Sequence, residues 1–241
     1  MTAQMLRDEL WNLGLRDIGR SVDNLQSLEQ ADQPLTPALA IELAARGLSV
    51  RRRDALADLR IQRGGALIHR TPSLERVVLA CVREVLLLDA PDDWHDVSHS
   101  EPRWPHLIFV SLPPPTPVGD LRLAEAIVHE AMHLNLSLAE GHTSMIADDA
   151  QLYSPWRSTT RPSGGVLHGA YVFAVLVRFF EELDRQEELS PEERRHLAGR
   201  RRDILAECRQ VPRSGLLRSL TKDGQAIARR IFEFVDHRIL P

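Results

Sequence analysis

Seven prolines, Pro91, Pro102, Pro105, Pro113, Pro114, Pro115 and Pro117, crowd one interval of this chain. Proline lacks a backbone donor and its ring clashes with the preceding helical turn, so this interval cannot be helix. On both sides the pattern is helical. The sequence therefore predicts a mainly α, multi-helix protein with a small β element. His106 to Leu112 is the one convincing strand. Its flanking prolines predict that it is short or lies at a sheet edge. At an edge it would pair with an extended peptide; its plainer role is to bury Ile108 and Val110.

Before the prolines, apolar residues recur at three- and four-residue spacing from Met5 to Leu28. Thr36-Pro37 reads as an N-cap opening a helix through Ala45. Arg51 to Ile61 continues in helical style until Gly64-Gly65 breaks it. Thr71-Pro72 restarts a helix expected to run through Leu88. After the prolines, Gly119-Asp120 opens a helix to about Glu140, and residues 141 to 165 read as loop. A long helix spans about Val166 to Arg185. Ser190-Pro191-Glu192-Glu193 is a capping-box start for a helix to Cys208, and Ser214 to Leu240 closes the chain as one more. This divides the chain into an N-terminal helical region (1–90), a central core (91–186) and a C-terminal helical pair (187–241), all within one compact domain.

Composition narrows the function. A net charge of −4 and a pI near 6.2 give no electrostatic case for nucleic acid. Cys81 and Cys208 both sit in apolar-periodic segments and are expected as buried free thiols, which suits a reducing compartment. The start of the chain has no apolar signal region, and the most apolar stretch, Val166 to Phe180, carries His168 and Arg178. The expectation is a soluble, cytoplasmic protein; the oligomeric state is not set by the sequence.

The chemistry concentrates in His129-Glu130-Ala131-Met132-His133, an HExxH motif. Residues four apart lie on one helix face, so two imidazoles there converge on one ion. Ile127, Val128, Ala131, Met132 and Leu134 make this a core helix, where two histidines and a glutamate cost desolvation unless something satisfies them. The bland alternative is two core histidines bonded to backbone and a chance Glu130. In a zinc peptidase Glu130 would be general base to a metal-bound water. The extended form of that motif needs glycine and histidine where this chain has Leu136 and Ala139. A carboxylate ligand from a later helix would have to be Glu181 or Glu182. The better third ligand is His168, the polar exception near the start of an apolar helix. Gly164-Gly165 precede it and Arg157 and Arg161 stand upstream, so a helix N-terminus and two guanidinium groups offer an anion site beside the metal.

In order, Val-His-Glu-Ala-Met-His-Leu, Ser154-Pro155-Trp156-Arg157 and Arg161-Pro162-Ser-Gly-Gly-Val-Leu-His168-Gly-Ala-Tyr171 resemble the 2-oxoglutarate-dependent HExxH-type peptide β-hydroxylases of ribosomal peptide natural-product clusters. The resemblance covers about residues 105 to 180. It implies Fe(II) on His129, His133 and His168, 2-oxoglutarate on the metal, and a precursor peptide as substrate. Glu130 then has no hydrolytic task and orients a ligand instead. The resemblance further places Ser154, Trp156, Arg157, Arg161 and Tyr171 around the cosubstrate. Arg161 is favoured for its distal carboxylate, because Pro162 stiffens the backbone there. A buried carboxylate that loses such a partner costs about 3–5 kcal/mol. Arg157 and Arg161 also read as surface arginines, and Trp156 and Tyr171 as core aromatics. Two rivals stand beside this expectation: a zinc metallopeptidase with Glu130 as base, and a non-catalytic, metal-binding helical protein.

Overall fold

The HExxH segment lies in the longest helix among the described residues, and the rest of the fold is best followed from it. We describe a computed structural model, covering residues 37–52, 54–90, 92, 95–186 and 188–238. The helix expected over Met5 to Leu28 lies outside these residues. In chain order the elements are α1 (Pro37–Ala45), α2 (Ala55–His69), α3 (Pro72–Cys81), β1 (Glu84–Leu88), β2 (Ser98–Ser100), β3 (Leu107–Ser111), α4 (Pro117–Glu140), β4 (Gln151–Ser154), β5 (Thr159–Pro162), α5 (Ser163–Asp184), α6 (Pro191–Gln210), α7 (Arg213–Ser219) and α8 (Lys222–Asp236). The protein is thus mostly helical with a small β element. Its packing groups the described residues into two units, 37–134 and 135–238, with the division inside α4.

In the first unit a three-stranded sheet has the order β1-β3-β2. β3 pairs in parallel with β1 on one side and antiparallel with β2 on the other. The strand at His106 to Leu112 is therefore central rather than an edge, and it has no free side for a peptide. Its buried Ile108 and Val110 match the plainer reading. Leu86, Leu88 and Phe109 face Leu43 of α1 across a small apolar cluster that also takes in Trp104. Val85, Leu87, Ile108 and Val110 form the opposite, buried face.

The helix expected from Thr71 through Leu88 ends at Cys81 instead. His106, at φ 68°, turns its carbonyl to accept from Arg83 N (2.9 Å) and Glu84 N (3.0 Å), which starts β1 beside β3. A continuous apolar run such as Val85 to Leu88 has no period that separates strand from buried helix, and the partner strand decides. Gly64-Gly65 does not break α2. Asp54 caps that helix through Ala57 N, and Gly64 is buried with the Leu123 side chain 3.4 Å from where a Cβ would stand, so the glycine serves close packing on α4. Arg60, 2% exposed, bonds Asp120 and the Pro113 carbonyl and ties α2 to the start of α4.

In the second unit, residues 141 to 165 are not wholly loop. β4 and β5 form an antiparallel hairpin that leads straight into α5. α5 is the core helix here, packed by the hairpin, α6, α7 and α8. Among the described residues it alone is long and apolar enough to cross a membrane, and 67% of that stretch is buried inside the fold. The capping box at Ser190 is present in full: Ser190 accepts from Glu193 N, and Glu193 accepts from Ser190 N. The single closing helix expected from Ser214 is split in two, because Thr221 caps a new helix through Gly224 N. Cys81 and Cys208 are buried and in no disulfide, and burial pushes both thiols up to about 12, so neither is ionised at neutral pH.

Candidate functional site

Beyond its first turn, and apart from exposed Leu138, α4 is buried along most of its circumference, as its apolar sequence requires. The exception is a half-buried seam at Arg122, Glu125, His129, His133, Ser137 and Glu140, spaced by three or four residues. His129 and His133 lie on that seam with ring centroids 4.9 Å apart and planes at 65°. Two imidazoles sharing one ion through bonds of about 2.1 Å would hold their centroids about 5 Å apart. The pair therefore fits as two donors to one metal. Among the described residues no group of three or more His, Cys, Asp or Glu side chains is arranged around a metal site.

Glu130 points off the seam and is 4% exposed. Ser100, on edge strand β2, donates its hydroxyl to Glu130 Oε2 at 2.6 Å. Glu130 Oε1 lies 4.0 Å from His129 Nε2. The buried carboxylate is thus held by a strand hydroxyl beside the first histidine, which fits an orienting role. Nothing in the sequence flagged Ser100, because strand pairing between residues 100 and 108 brings it to the helix.

The remaining predicted residues lie in the second unit. His168 is in the second turn of α5, 17% exposed, and its Nε2 is 3.0 Å from Oε2 of Glu140, the last residue of α4. The hairpin covers this part of α5 through two glycines. At Gly165 the Arg161 Nε lies 3.4 Å from where a Cβ would stand; at Gly169 the Trp156 ring lies 2.6 Å from it. Trp156 then stacks on Phe173, one turn further on, with centroids 5.0 Å apart. Its indole nitrogen is buried without a hydrogen-bond partner among the described residues. Arg157 and Arg161 are exposed, and neither has an ion pair among the described residues. The first turn of α5, Ser163-Gly164-Gly165, has no side-chain cap.

Ser154 is buried at the end of β4, where its carbonyl accepts from Arg157 N and closes the hairpin turn. Tyr171 is 3% exposed, and its hydroxyl lies 2.6 Å from Asn135 Nδ2; it is a core residue. Glu181 pairs with Arg238 and Glu182 with Arg178, so both carboxylates are already engaged. Compared with models of known protein families and with curated proteins, the chain matches none.

Proposed function

We propose that the protein is an Fe(II)- and 2-oxoglutarate-dependent dioxygenase that hydroxylates the β-carbon of a residue in a ribosomally made precursor peptide. A zincin-like core around α4 is part of the same proposal, as is a cytoplasmic location. His129, His133 and His168 would hold the metal. Three neutral imidazoles are acceptable ligands for iron when the cosubstrate brings negative charge. Iron with 2-oxoglutarate, when bound there, would supply oxygen activation for insertion of one oxygen atom into the peptide C–H bond, the other oxygen leaving in succinate as CO₂ is lost.

The observation that carries this reading is the pair of guanidinium groups beside α5 that have no ion pair among the described residues, Arg161 lying over Gly165 one turn before His168. A dicarboxylic acid bound near His168 would meet a planar two-donor fork from Arg161 at the positive end of the α5 helix dipole. Glu130 favours the same side. Its carboxylate is buried on Ser100, where a peptidase base would instead face the metal-bound water. Within this reading Glu130 holds the His129 side of the centre, and Arg161, seconded by Arg157, binds the distal carboxylate.

The test is direct. Anaerobic Fe(II) protein should develop a visible charge-transfer band on adding 2-oxoglutarate; with its peptide and oxygen it should release succinate and add one oxygen atom to the peptide. Cleavage of the peptide with Zn(II) and no need for 2-oxoglutarate would replace this reading with the metallopeptidase. Absence of both metal binding and turnover would leave the non-catalytic protein. Glu130→Gln separates the two enzymes, since a peptidase would lose nearly all turnover and the hydroxylase should keep iron and measurable activity.

A further inference from the structure

Glu140 and His168 make a pairing that the chemistry above does not use. Glu140 ends α4, where a glutamate is out of place electrostatically: the C-terminal end of a helix favours cations, not anions. It is nevertheless held in, 29% exposed, with Oε2 3.0 Å from His168 Nε2. It lies two turns beyond His133 in the same helix.

We infer that Glu140 is the positioning residue of His168, a carboxylate that orients the imidazole as a metal ligand. This rests on the reading of His168 as a ligand. An imidazole donating one ring N–H to a carboxylate is fixed in tautomer and ring angle, and its second nitrogen becomes a stronger donor. The carboxylate does not touch the metal; it acts through His168.

The experiment is Co(II) titration of the full chain against a chromophoric chelator. Glu140→Ala should weaken Co(II) binding ten- to hundredfold at unchanged stoichiometry, with the metal-free melting temperature preserved. Glu140→Gln, which keeps an acceptor and removes the charge, should recover part of that loss and alter the visible spectrum of bound Co(II) less. In a His168→Ala background, Glu140→Ala should have no further effect. The inference is overturned if Glu140→Ala binds Co(II) as tightly as the parent, or if it weakens binding equally with and without His168. If His168→Ala itself leaves Co(II) affinity unchanged, the ligand set proposed above fails, and the role of Glu140 with it.

Discussion

The two histidine settings of this chain are built by different means. His129 and His133 owe their relation to one helix: four residues of α4 bring the rings within 4.9 Å, and the buried surroundings of that helix keep it regular. His168 stands alone on α5, where Glu140 at the end of α4 reaches it directly, while Arg161 on β5 and Trp156 in the hairpin turn lie over the neighbouring Gly165 and Gly169. The first setting needs only a helix. The second needs a hairpin, two glycines and a helix terminus to arrive together. Damage to the first should remove donors outright, whereas damage to the second should misplace them.

The largest effect tests whether the two settings share one ion. His129→Ala, His133→Ala and His168→Ala should each abolish tight binding of one metal ion, measured as metal content after dialysis. Full occupancy in His168→Ala would separate the settings. Glu181 or Glu182 would then have to leave an arginine to become the third ligand.

Next comes the hairpin's seat on α5. Gly169→Ala would place a methyl 2.6 Å from the Trp156 ring, which Phe173 backs on its stacked face. Overpacking of this kind costs about 1–3 kcal/mol, a fall of several degrees in melting temperature. Gly165→Ala meets only the flexible Arg161 at 3.4 Å and should be nearly silent in melting temperature. Equal effects of the two changes would show that the hairpin is not seated through Trp156.

Arg161→Ala sharpens the cosubstrate side. The exposure of Arg161 lowers the 3–5 kcal/mol expected for a buried pair, because water competes for the guanidinium. A charge-assisted bond of about 1.5 kcal/mol predicts roughly a tenfold rise in the 2-oxoglutarate needed for half-maximal activity, with iron content intact. The same shift from Arg157→Ala alone would move the role to the hairpin turn. No shift from either would leave the cosubstrate, and the function built on it, without support.

The smallest effect lies away from both settings, at His99 on β2. Its ring is held below the ordinary 6.5 chiefly by burial; Glu101 opposes this and Arg46 adds to it. A histidine depressed in the fold binds protons more readily unfolded. Its stabilisation is therefore complete above pH 6.5 and is lost as the pH falls through the folded value. His99→Gln should flatten the decline in melting temperature below pH 6.5, and an unchanged decline would assign it to other groups.

Much of α4 was legible in the sequence, since its apolar run, its length and its two histidines are local facts. So were the strand at residue 107, whose proline flanks rule out helix, and the capping box at Ser190, a pattern three residues long. β1 was not legible. Glu-Val-Leu-Leu-Leu reads equally well as the end of α3, and only pairing with β3, more than twenty residues on, makes it a strand. Gly64-Gly65 misled for a related reason: glycine weakens a helix by propensity, yet here Gly64 lets α2 lie against Leu123. Glu140 could have been found by extending the HExxH face two further turns. Ser100 carried no signal at all.

The sequence by itself determined the helical class, the central apolar helix and the His129–His133 pair, because helix periodicity is fixed by bonds between residues four apart. Tertiary structure alone decided that β3 is central, that Ser100 holds Glu130, and that Glu140 reaches His168. Those relations, through the pairing of β1 with β3 and the two side-chain bonds, join residues 23 to 30 apart in the chain, and no local spacing records them. Contacts of that range form only when burying both partners outweighs the entropy of closing the loop between them, a balance set by the whole fold.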